Sequence, residues 1–203
     1  MVLPDPVPLR QGAKRHDSLV GPFRVVVVST YAADEPFDEI VKAAREAGNG
    51  FQFLVTGNPS RLSDATIRSI PTNMTLTGFL SEAAYWDLLV NASVVLDLTK
   101  MPNCLVCGAY EALSAGVPVI LSNNEASVET FGDFAEFTGN SAAEILAALK
   151  RVQARPVGIP SLIEDAREAF EDRWRNHSRP VCTYIHSICS RRTSSRPAAS
   201  MTS

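Results

Sequence analysis

The sequence predicts an alternating α/β fold built on a parallel sheet, and three observations carry that prediction. Short apolar or β-branched runs alternate with longer amphipathic segments, and several of these end at a glycine. The first run, Phe23–Ser29 (FRVVVVS), has the continuous apolarity of a strand buried on both faces. Parallel neighbours need a long return path, which the amphipathic segments between the runs supply.

Each predicted element has a local signal. The first helix, Phe37–Ala47, places Ile40, Val41 and Ala44 on one face, and Gly48 ends it. The other predicted strands are apolar runs at Phe51–Thr56, Met74–Thr77, Ser93–Leu98, Val117–Ser122 and Phe134–Thr138. The other predicted helices are Ser63–Ser69, Ser81–Asn91, Gly108–Ala115, Ala142–Val152 and Leu162–Trp174. Together these elements predict a Rossmann-like parallel sheet flanked by helices.

Changes in composition divide the chain into four parts. Residues 1–22 are proline-rich and linker-like, and residues 23–155 hold the Rossmann-like domain. Residues 156–178 are expected to form a C-terminal helix. The remainder, 179–203, is rich in arginine and serine, and we expect it to be a disordered tail.

The overall composition excludes several classes of protein. The 203 residues are 45% hydrophobic and 20% charged, with a net charge of -3, so no nucleic-acid partner is expected. No apolar run is long enough to cross a bilayer, and the N-terminus does not resemble a secretory signal. Four cysteines do not form a disulfide scaffold. We therefore expect a cytoplasmic protein whose membrane contact, through its basic tail, is at most peripheral.

The segment from residue 103 to residue 120 is the most specific part of the sequence. It reads NCLVCGAYEALSAGVPVI, and Glu111, Ala112, Gly116, Pro118, Val119 and Ile120 match a known signature as they stand. That signature, E-x7-E followed by A-x-x-x-G-x-P-V-I, belongs to GT-B glycosyltransferases. The chain resembles the C-terminal, nucleotide-sugar donor-binding half of the retaining, group 1 members of that fold. The resemblance covers roughly Val25 to Val152 and implies transfer of a hexosyl-type group from a nucleotide-diphosphate sugar.

The resemblance implies roles for individual residues around the carboxyl ends of the strands, where ligands bind in such sheets. Glu111, one turn into its helix, would bind the ribose hydroxyls. Free backbone N–H groups would face the diphosphate and sugar from the loop and the start of the helix, at Cys104, Leu105 and Gly108. Gly57 would allow the ligand to approach the backbone closely. Asn123 could hydrogen-bond the ligand, although a polar turn explains it equally well.

Three positions depart from the family pattern. The first glutamate of the signature is Asn103, which can approach the donor sugar but carries no charge. The positions of the usual arginine and lysine that neutralise the diphosphate correspond to Thr30 and Glu35. Lys100 is close enough in sequence to the crevice to replace one of these cations; the alternative is that it is only a surface residue. A non-catalytic nucleotide-sugar-binding or partner subunit is therefore the alternative to an enzyme.

Other features have simpler explanations. Cys104 and Cys107 form a CxxC pair, which permits a redox or zinc site, but the family pattern explains both as small loop residues. Asp34 and Glu35 permit a metal site, but adjacent acids on a loop are usually solvated. Tyr85 is expected to be a packing residue.

No metal or cofactor is implied beyond the nucleotide-sugar donor. Because nothing before Phe23 is long enough to form an acceptor-binding domain, that half is expected to come from a partner chain or a longer parent protein.

Overall fold

A computed structural model describes residues 5–8, 21–132, 134–155 and 159–194 of the chain. Its centre is a parallel sheet of six strands in the order β3-β2-β1-β4-β5-β6. The strands are β1 (Phe23–Val27), β2 (Phe51–Thr56), β3 (Met74–Gly78), β4 (Val94–Asp97), β5 (Val119–Ser122) and β6 (Ala135–Thr138). This arrangement confirms the predicted Rossmann-like α/β fold.

Seven helices accompany the sheet in the part of the chain that the structure describes. They are α1 (Phe37–Ala47), α2 (Asp64–Arg68), α3 (Glu82–Val90), α4 (Cys107–Ala115), α5 (Glu125–Phe131), α6 (Ala142–Gln153) and α7 (Ile159–Ser194). Helix α1 packs against α6, and α3 packs against α4. Helix α5 has no counterpart among the predicted helices; it is seven residues long and follows Asn124, whose side chain caps it.

The central strands are buried on both faces, as their continuous apolarity predicts. Val25, Val26 and Val27 of β1 are almost completely inaccessible to solvent, and β4 and β5 are buried along their whole lengths. Because successive side chains alternate between the faces of a strand, β1 contributes to the packing on both sides of the sheet. The residues that follow each central strand are therefore held by a rigid support.

The N-terminal segment predicted as a linker is described only in part. Within the larger compact unit, Val7–Arg167, the Ser114 hydroxyl of α4 donates a 2.6 Å hydrogen bond to the Pro8 carbonyl. The other residues of the predicted segment, 1–4 and 9–20, lie outside the described residues.

The chain is helical further toward its C-terminus than the sequence analysis expects. Helix α7 includes the predicted Leu162–Trp174 helix and continues to Ser194, so residues 179–194, which the sequence assigns to a disordered tail, are helical in the structure. No glycine interrupts this stretch, and the helix contains Pro180 in its interior. The second compact unit holds the part of α7 from Glu168 onward. Residues 195–203 lie outside the described residues.

Candidate functional site

The strand order places a topological switch point between β1 and β4. Strands β2 and β3 lie on one side of β1, and strands β5 and β6 lie beyond β4 on the other. The chain therefore leaves β1 and β4 toward opposite halves of the sheet, which opens a crevice at their carboxyl ends. The loop after β1 and the loop from Leu98 to Val106 form the two sides of this crevice.

A cavity of about 700 Å³ lies beside the loop after β1. Residues following β1, β2 and β3, together with the start of α3, line it: Ser29, Thr30, Thr56, Gly57, Asn58, Arg61, Phe79, Leu80, Glu82 and Tyr85. Phe79 is 92% exposed, so its ring is an apolar surface that the protein itself leaves uncovered. An aromatic face, a guanidinium and backbone polar groups together suit a ligand with a planar ring and a charged group.

Gly57 is required by the close approach of two loops. Its φ is +99°, and a Cβ atom at this position would lie 2.2 Å from the carbonyl oxygen of Ser29. Any larger residue would push the loop after β2 away from the loop after β1. Gly57, predicted from the sequence to border the ligand, lines the cavity described above.

The loop after β1 is organised around the carboxylate of Glu35. Its Oε1 accepts hydrogen bonds from the Thr30 N–H (2.8 Å) and the Thr30 hydroxyl (2.7 Å). Its Oε2 accepts from the Ser29 hydroxyl (2.5 Å) and the Tyr31 N–H (3.1 Å). Burial and the Glu35 charge raise the pKa of Tyr31 to about 12. Glu35 is thus a structural anion inside the loop, and the expectation of a merely solvated acid is wrong.

The neighbouring acid, Asp34, joins the two sides of the crevice. Its Oδ2 accepts a 2.8 Å hydrogen bond from the Thr99 hydroxyl, and its carbonyl accepts a 2.7 Å bond from the Lys100 N–H. Lys100 itself is exposed. The backbone of Lys100, and therefore the start of the loop after β4, is fixed to the loop after β1.

Glu111 lies on α4 and is joined to the cavity through Tyr85. The Tyr85 hydroxyl, at the cavity wall, donates a short hydrogen bond to Glu111 Oε2. Burial raises the pKa of Glu111, and the Tyr85 hydrogen bond opposes that rise. Burial and the Glu111 charge also raise the pKa of Tyr85. The expectation that Tyr85 only packs against the fold is therefore incomplete, because its hydroxyl positions the carboxylate.

A second carboxylate, Asp97, ends β4 beneath the crevice. Its Oδ2 accepts a 2.9 Å hydrogen bond from the Gly108 N–H in the first turn of α4. Burial raises the pKa of Asp97 to about 7; the Gly108 hydrogen bond opposes the rise, and the charges of Glu35 and Glu111 add to it. One of the N–H groups that the sequence analysis offered to a diphosphate is thus bound to this side chain.

The remaining predicted site residues are spread along the loop after β4 and beyond β5. Asn103 is exposed and has a left-handed φ of +52°. The Cys104 carbonyl accepts a hydrogen bond from the Ser127 hydroxyl at 3.4 Å, and Leu105 is half-buried. Asn123 is exposed, and its N–H donates to the Thr138 carbonyl at 2.9 Å.

Two residues that were not predicted from the sequence also line the cavity, Arg61 and Phe79. Arg61 lines the cavity and donates a 3.0 Å hydrogen bond to the Thr30 carbonyl, which places a cation beside the loop after β1. Phe79 lines the same cavity. The available sequence signal was their position just after β2 and β3, since ligands bind at the carboxyl ends of parallel strands.

Among the described residues, no cluster of three or more His, Cys, Asp or Glu side chains is arranged to bind a metal ion. No helix within the same ranges combines the length and apolar character needed to span a bilayer.

Comparison with known proteins identifies the family. The model of the glycosyl transferase-like family matches residues 36–184, and the chain belongs to that family. No curated protein matches the sequence.

Solved glycosyltransferase structures share the fold. The chain is similar to HepE from Anabaena, solved with UDP and glucose, with 13% identity, a TM-score of 0.68 and coverage of 82% of this chain and 49% of that one. Sucrose-phosphate synthase from Thermosynechococcus elongatus shows 19% identity, a TM-score of 0.66 and coverage of 84% and 46%. Trehalose 6-phosphate synthase from Burkholderia multivorans shows 13% identity, a TM-score of 0.62 and coverage of 89% and 46%. The chain therefore spans about half the length of the solved structures that it matches.

Proposed function

We propose that this chain is the donor-binding half of a glycosyltransferase and that it binds a nucleotide-diphosphate sugar for transfer to an acceptor. The observation that carries the proposal is the cavity beside the switch point, which contains Phe79 and Arg61 and is joined to Glu111 through Tyr85. The UDP bound by the similar HepE structure gives the proposal its first ligand to test.

The base and ribose are assigned to the part of the cavity nearest Phe79 and Tyr85. Phe79 offers an aromatic face on which a base can stack. Tyr85 occupies Glu111 Oε2, so the ribose hydroxyls would use the other carboxylate oxygen, Oε1. Gly57 would let the ligand approach the backbone of the loop after β2.

The diphosphate is assigned to the side of the crevice that contains Arg61. A guanidinium is suited to phosphate oxygens because its N–H groups form charge-assisted, paired hydrogen bonds. Arg61 would therefore replace the usual arginine and lysine, whose positions are occupied by Thr30 and Glu35. Lys100 is proposed as a second cation for the leaving diphosphate.

The sugar is assigned to the loop from Lys100 to Gly108. Asn103 would hydrogen-bond a sugar hydroxyl, and the backbone at Cys104, Leu105 and Gly108 would face the sugar and phosphate, with Asn123 at the far side. Because Asn103 is uncharged, the charge that develops on the sugar would have to be balanced by the leaving diphosphate itself. We further propose transfer with retention of configuration, a hexosyl donor and no metal or additional cofactor, as the family resemblance implies.

An acceptor-binding half is also proposed, supplied by a partner chain or by a longer parent protein. The support is that the matched structures are about twice as long as the part this chain covers. Transfer would then require both halves, whereas donor binding would require only this chain.

Titration calorimetry with UDP and UDP-glucose tests the proposal. Glu111→Gln should weaken UDP binding by about 1.5–3 kcal/mol, the cost of a hydrogen bond to a charged group. Glu46→Gln, on the exposed face of α1, should leave the affinity unchanged and serves as the matched control. Unchanged affinity in Glu111→Gln would remove that residue from the site, and the absence of any nucleotide binding would overturn the proposal.

A further inference from the structure

The Glu35 carboxylate occupies an anion-binding concavity of the protein. Its two oxygens accept four hydrogen bonds, two each, from the N–H groups of Thr30 and Tyr31 and the hydroxyls of Ser29 and Thr30. Successive backbone N–H groups that converge on one point form a binding site for oxyanions, whether carboxylate or phosphate. The donors are therefore directed at an anion, and the protein supplies that anion itself.

The backbone of the loop has the conformation that such a site requires. Tyr31 has a left-handed φ of +56°, which is uncommon for a bulky residue. In this conformation the Tyr31 N–H and the Thr30 N–H both donate to the Glu35 carboxylate, and the Tyr31 N–H is shared with the Ser29 hydroxyl oxygen at 3.0 Å. The position of Tyr31 is held by its ring, which packs edge-on against Phe37 with 5.1 Å between ring centroids.

The concavity borders the place where a ligand would enter. Ser29 and Thr30 line the cavity of about 700 Å³, and Arg61 donates to the Thr30 carbonyl from the same side. This is the first βα turn at the topological switch point, where parallel α/β folds bind phosphate groups with backbone N–H donors. A phosphate group in this cavity would therefore meet a cation, Arg61, and N–H donors that Glu35 already occupies.

We propose that the loop Ser29–Glu35 is a phosphate-binding site closed by Glu35, whose carboxylate must leave its four donors before a phosphate group can bind there. The inference rests on the proposed function in that it names the part of the same crevice that takes the diphosphate. Glu35 then selects for ligands with enough negative charge to replace it, since a neutral ligand cannot compensate for its departure. Removal of the carboxylate converts the closed site into an open one.

The test uses the full chain and three probes: inorganic pyrophosphate, UDP and uridine. Glu35→Ala should bind pyrophosphate and UDP about tenfold more tightly than the unmodified chain, because one competing charge-assisted set of hydrogen bonds is gone. Uridine, which has no phosphate, should bind both proteins equally. Glu46→Ala removes an exposed carboxylate on α1, outside the loop Ser29–Glu35, and should change none of these affinities.

A loss of folding in Glu35→Ala would prevent its binding data from being interpreted, so the stability of the variant is measured and a second variant is included. Circular dichroism and a urea titration establish whether Glu35→Ala is folded. If it is not, Glu35→Gln, which keeps the length of the side chain but not its charge, should give a smaller gain in the same direction. A folded variant that binds pyrophosphate no better than the unmodified chain overturns the inference.

The same measurements separate this inference from the proposed function. If Glu35→Ala gains affinity for pyrophosphate while neither protein binds UDP, the closed phosphate site stands and the nucleotide-sugar proposal fails. If UDP binds equally to both proteins and depends on Glu111, the proposed function stands and the closed site is wrong.

Discussion

The backbone N–H of Gly108 donates a 2.9 Å hydrogen bond to Asp97 Oδ2, and a Cβ atom on residue 108 would lie 2.5 Å from that same oxygen. The first turn of α4 therefore approaches the end of β4 more closely than any residue with a side chain allows. This contact sets the position of the helix that carries Glu111. The effect of the Gly108–Asp97 contact on stability can be measured separately from the effect of Asp97 on pH dependence.

Gly108→Ala is expected to destabilise the chain by about 1–3 kcal/mol, because the added methyl group must displace a buried carboxylate. Urea unfolding followed by circular dichroism measures the change. Gly50→Ala is the matched control, since a Cβ atom there meets nothing within 4 Å, and its effect should stay within about 0.5 kcal/mol. The cost of Gly108→Ala should also shrink in an Asp97→Ala background, and an equal cost in both backgrounds would argue against the contact.

Asp97 makes stability depend on pH in a defined direction. Its pKa is raised to about 7 in the folded chain, mainly by burial, whereas an unfolded chain releases this proton near its ordinary pKa of about 4. Between those values the folded chain holds a proton that the unfolded chain has lost, so the contribution of Asp97 to stability is lost as pH rises.

Asp97→Asn keeps an acceptor for the Gly108 N–H but cannot titrate. Its free energy of unfolding should therefore improve relative to the unmodified chain by up to a few kcal/mol between about pH 4 and pH 8. Urea unfolding at several pH values measures this difference. Parallel pH profiles for the two proteins would contradict the prediction.

Removal of the Tyr85 hydroxyl should affect Glu111 directly. In Tyr85→Phe the carboxylate loses a hydrogen bond that opposes the effect of burial, so the pKa of Glu111 should rise further. The chain should lose about 1–2 kcal/mol of stability. Carbon-detected NMR titration of the Glu111 carboxyl group measures the pKa. A double-mutant cycle with Glu111→Gln measures the coupling, and additive effects would rule out the hydrogen bond.

The residue at position 103 has a backbone reason for being asparagine. Its φ of +52° is tolerated by asparagine and glycine but costs other residues about 1–2 kcal/mol. Asn103→Ala and Asn103→Glu should therefore both destabilise the chain by roughly that amount, while Asn103→Gly should not. Asn49→Ala, in an exposed 3-10 turn, is the control in the same urea assay. If Asn103→Glu is as stable as the unmodified chain, the backbone is not what excludes glutamate.

Phe79 should matter for binding and not for folding. Its side chain is 92% exposed, so Phe79→Ala should change the free energy of unfolding by less than about 0.5 kcal/mol. If the base stacks on this ring, the variant should lose about 1–3 kcal/mol of UDP binding energy in a calorimetric titration. Ile67→Ala, an exposed apolar residue that does not line the cavity, should leave the affinity unchanged. Equal UDP affinity in Phe79→Ala would place the base elsewhere.

Much of the fold could be predicted because its signals are local. The apolarity of Phe23–Val27 and the spacing of Ile40, Val41 and Ala44 follow from the burial of β1 and α1 alone. Helix α5 was not predicted because its seven residues make too short a periodic pattern, although Asn124 is a typical N-cap.

The candidate site was harder to predict because it depends on contacts between distant residues. Arg61 approaches Thr30 across 31 residues of sequence, and Tyr85 approaches Glu111 across 26. No local pattern encodes those pairs. The hydrogen bonds of Asp34 and Glu35 were missed as well. An acidic pair on a loop is expected to be solvated unless the hydrogen-bond donors around it are known.

The pair of hydrogen bonds from Thr99 and Lys100 to Asp34 has a kinetic consequence. These bonds already hold together the two loops that border the crevice. Binding of a ligand therefore costs little further loop entropy. In the proposed closed site, the departure of one side chain, that of Glu35, would open the phosphate position without movement of these two loops. If the proposed nucleotide site is correct, binding should therefore depend on diffusion, charge and the release of Glu35, and not on a slow closure of these loops.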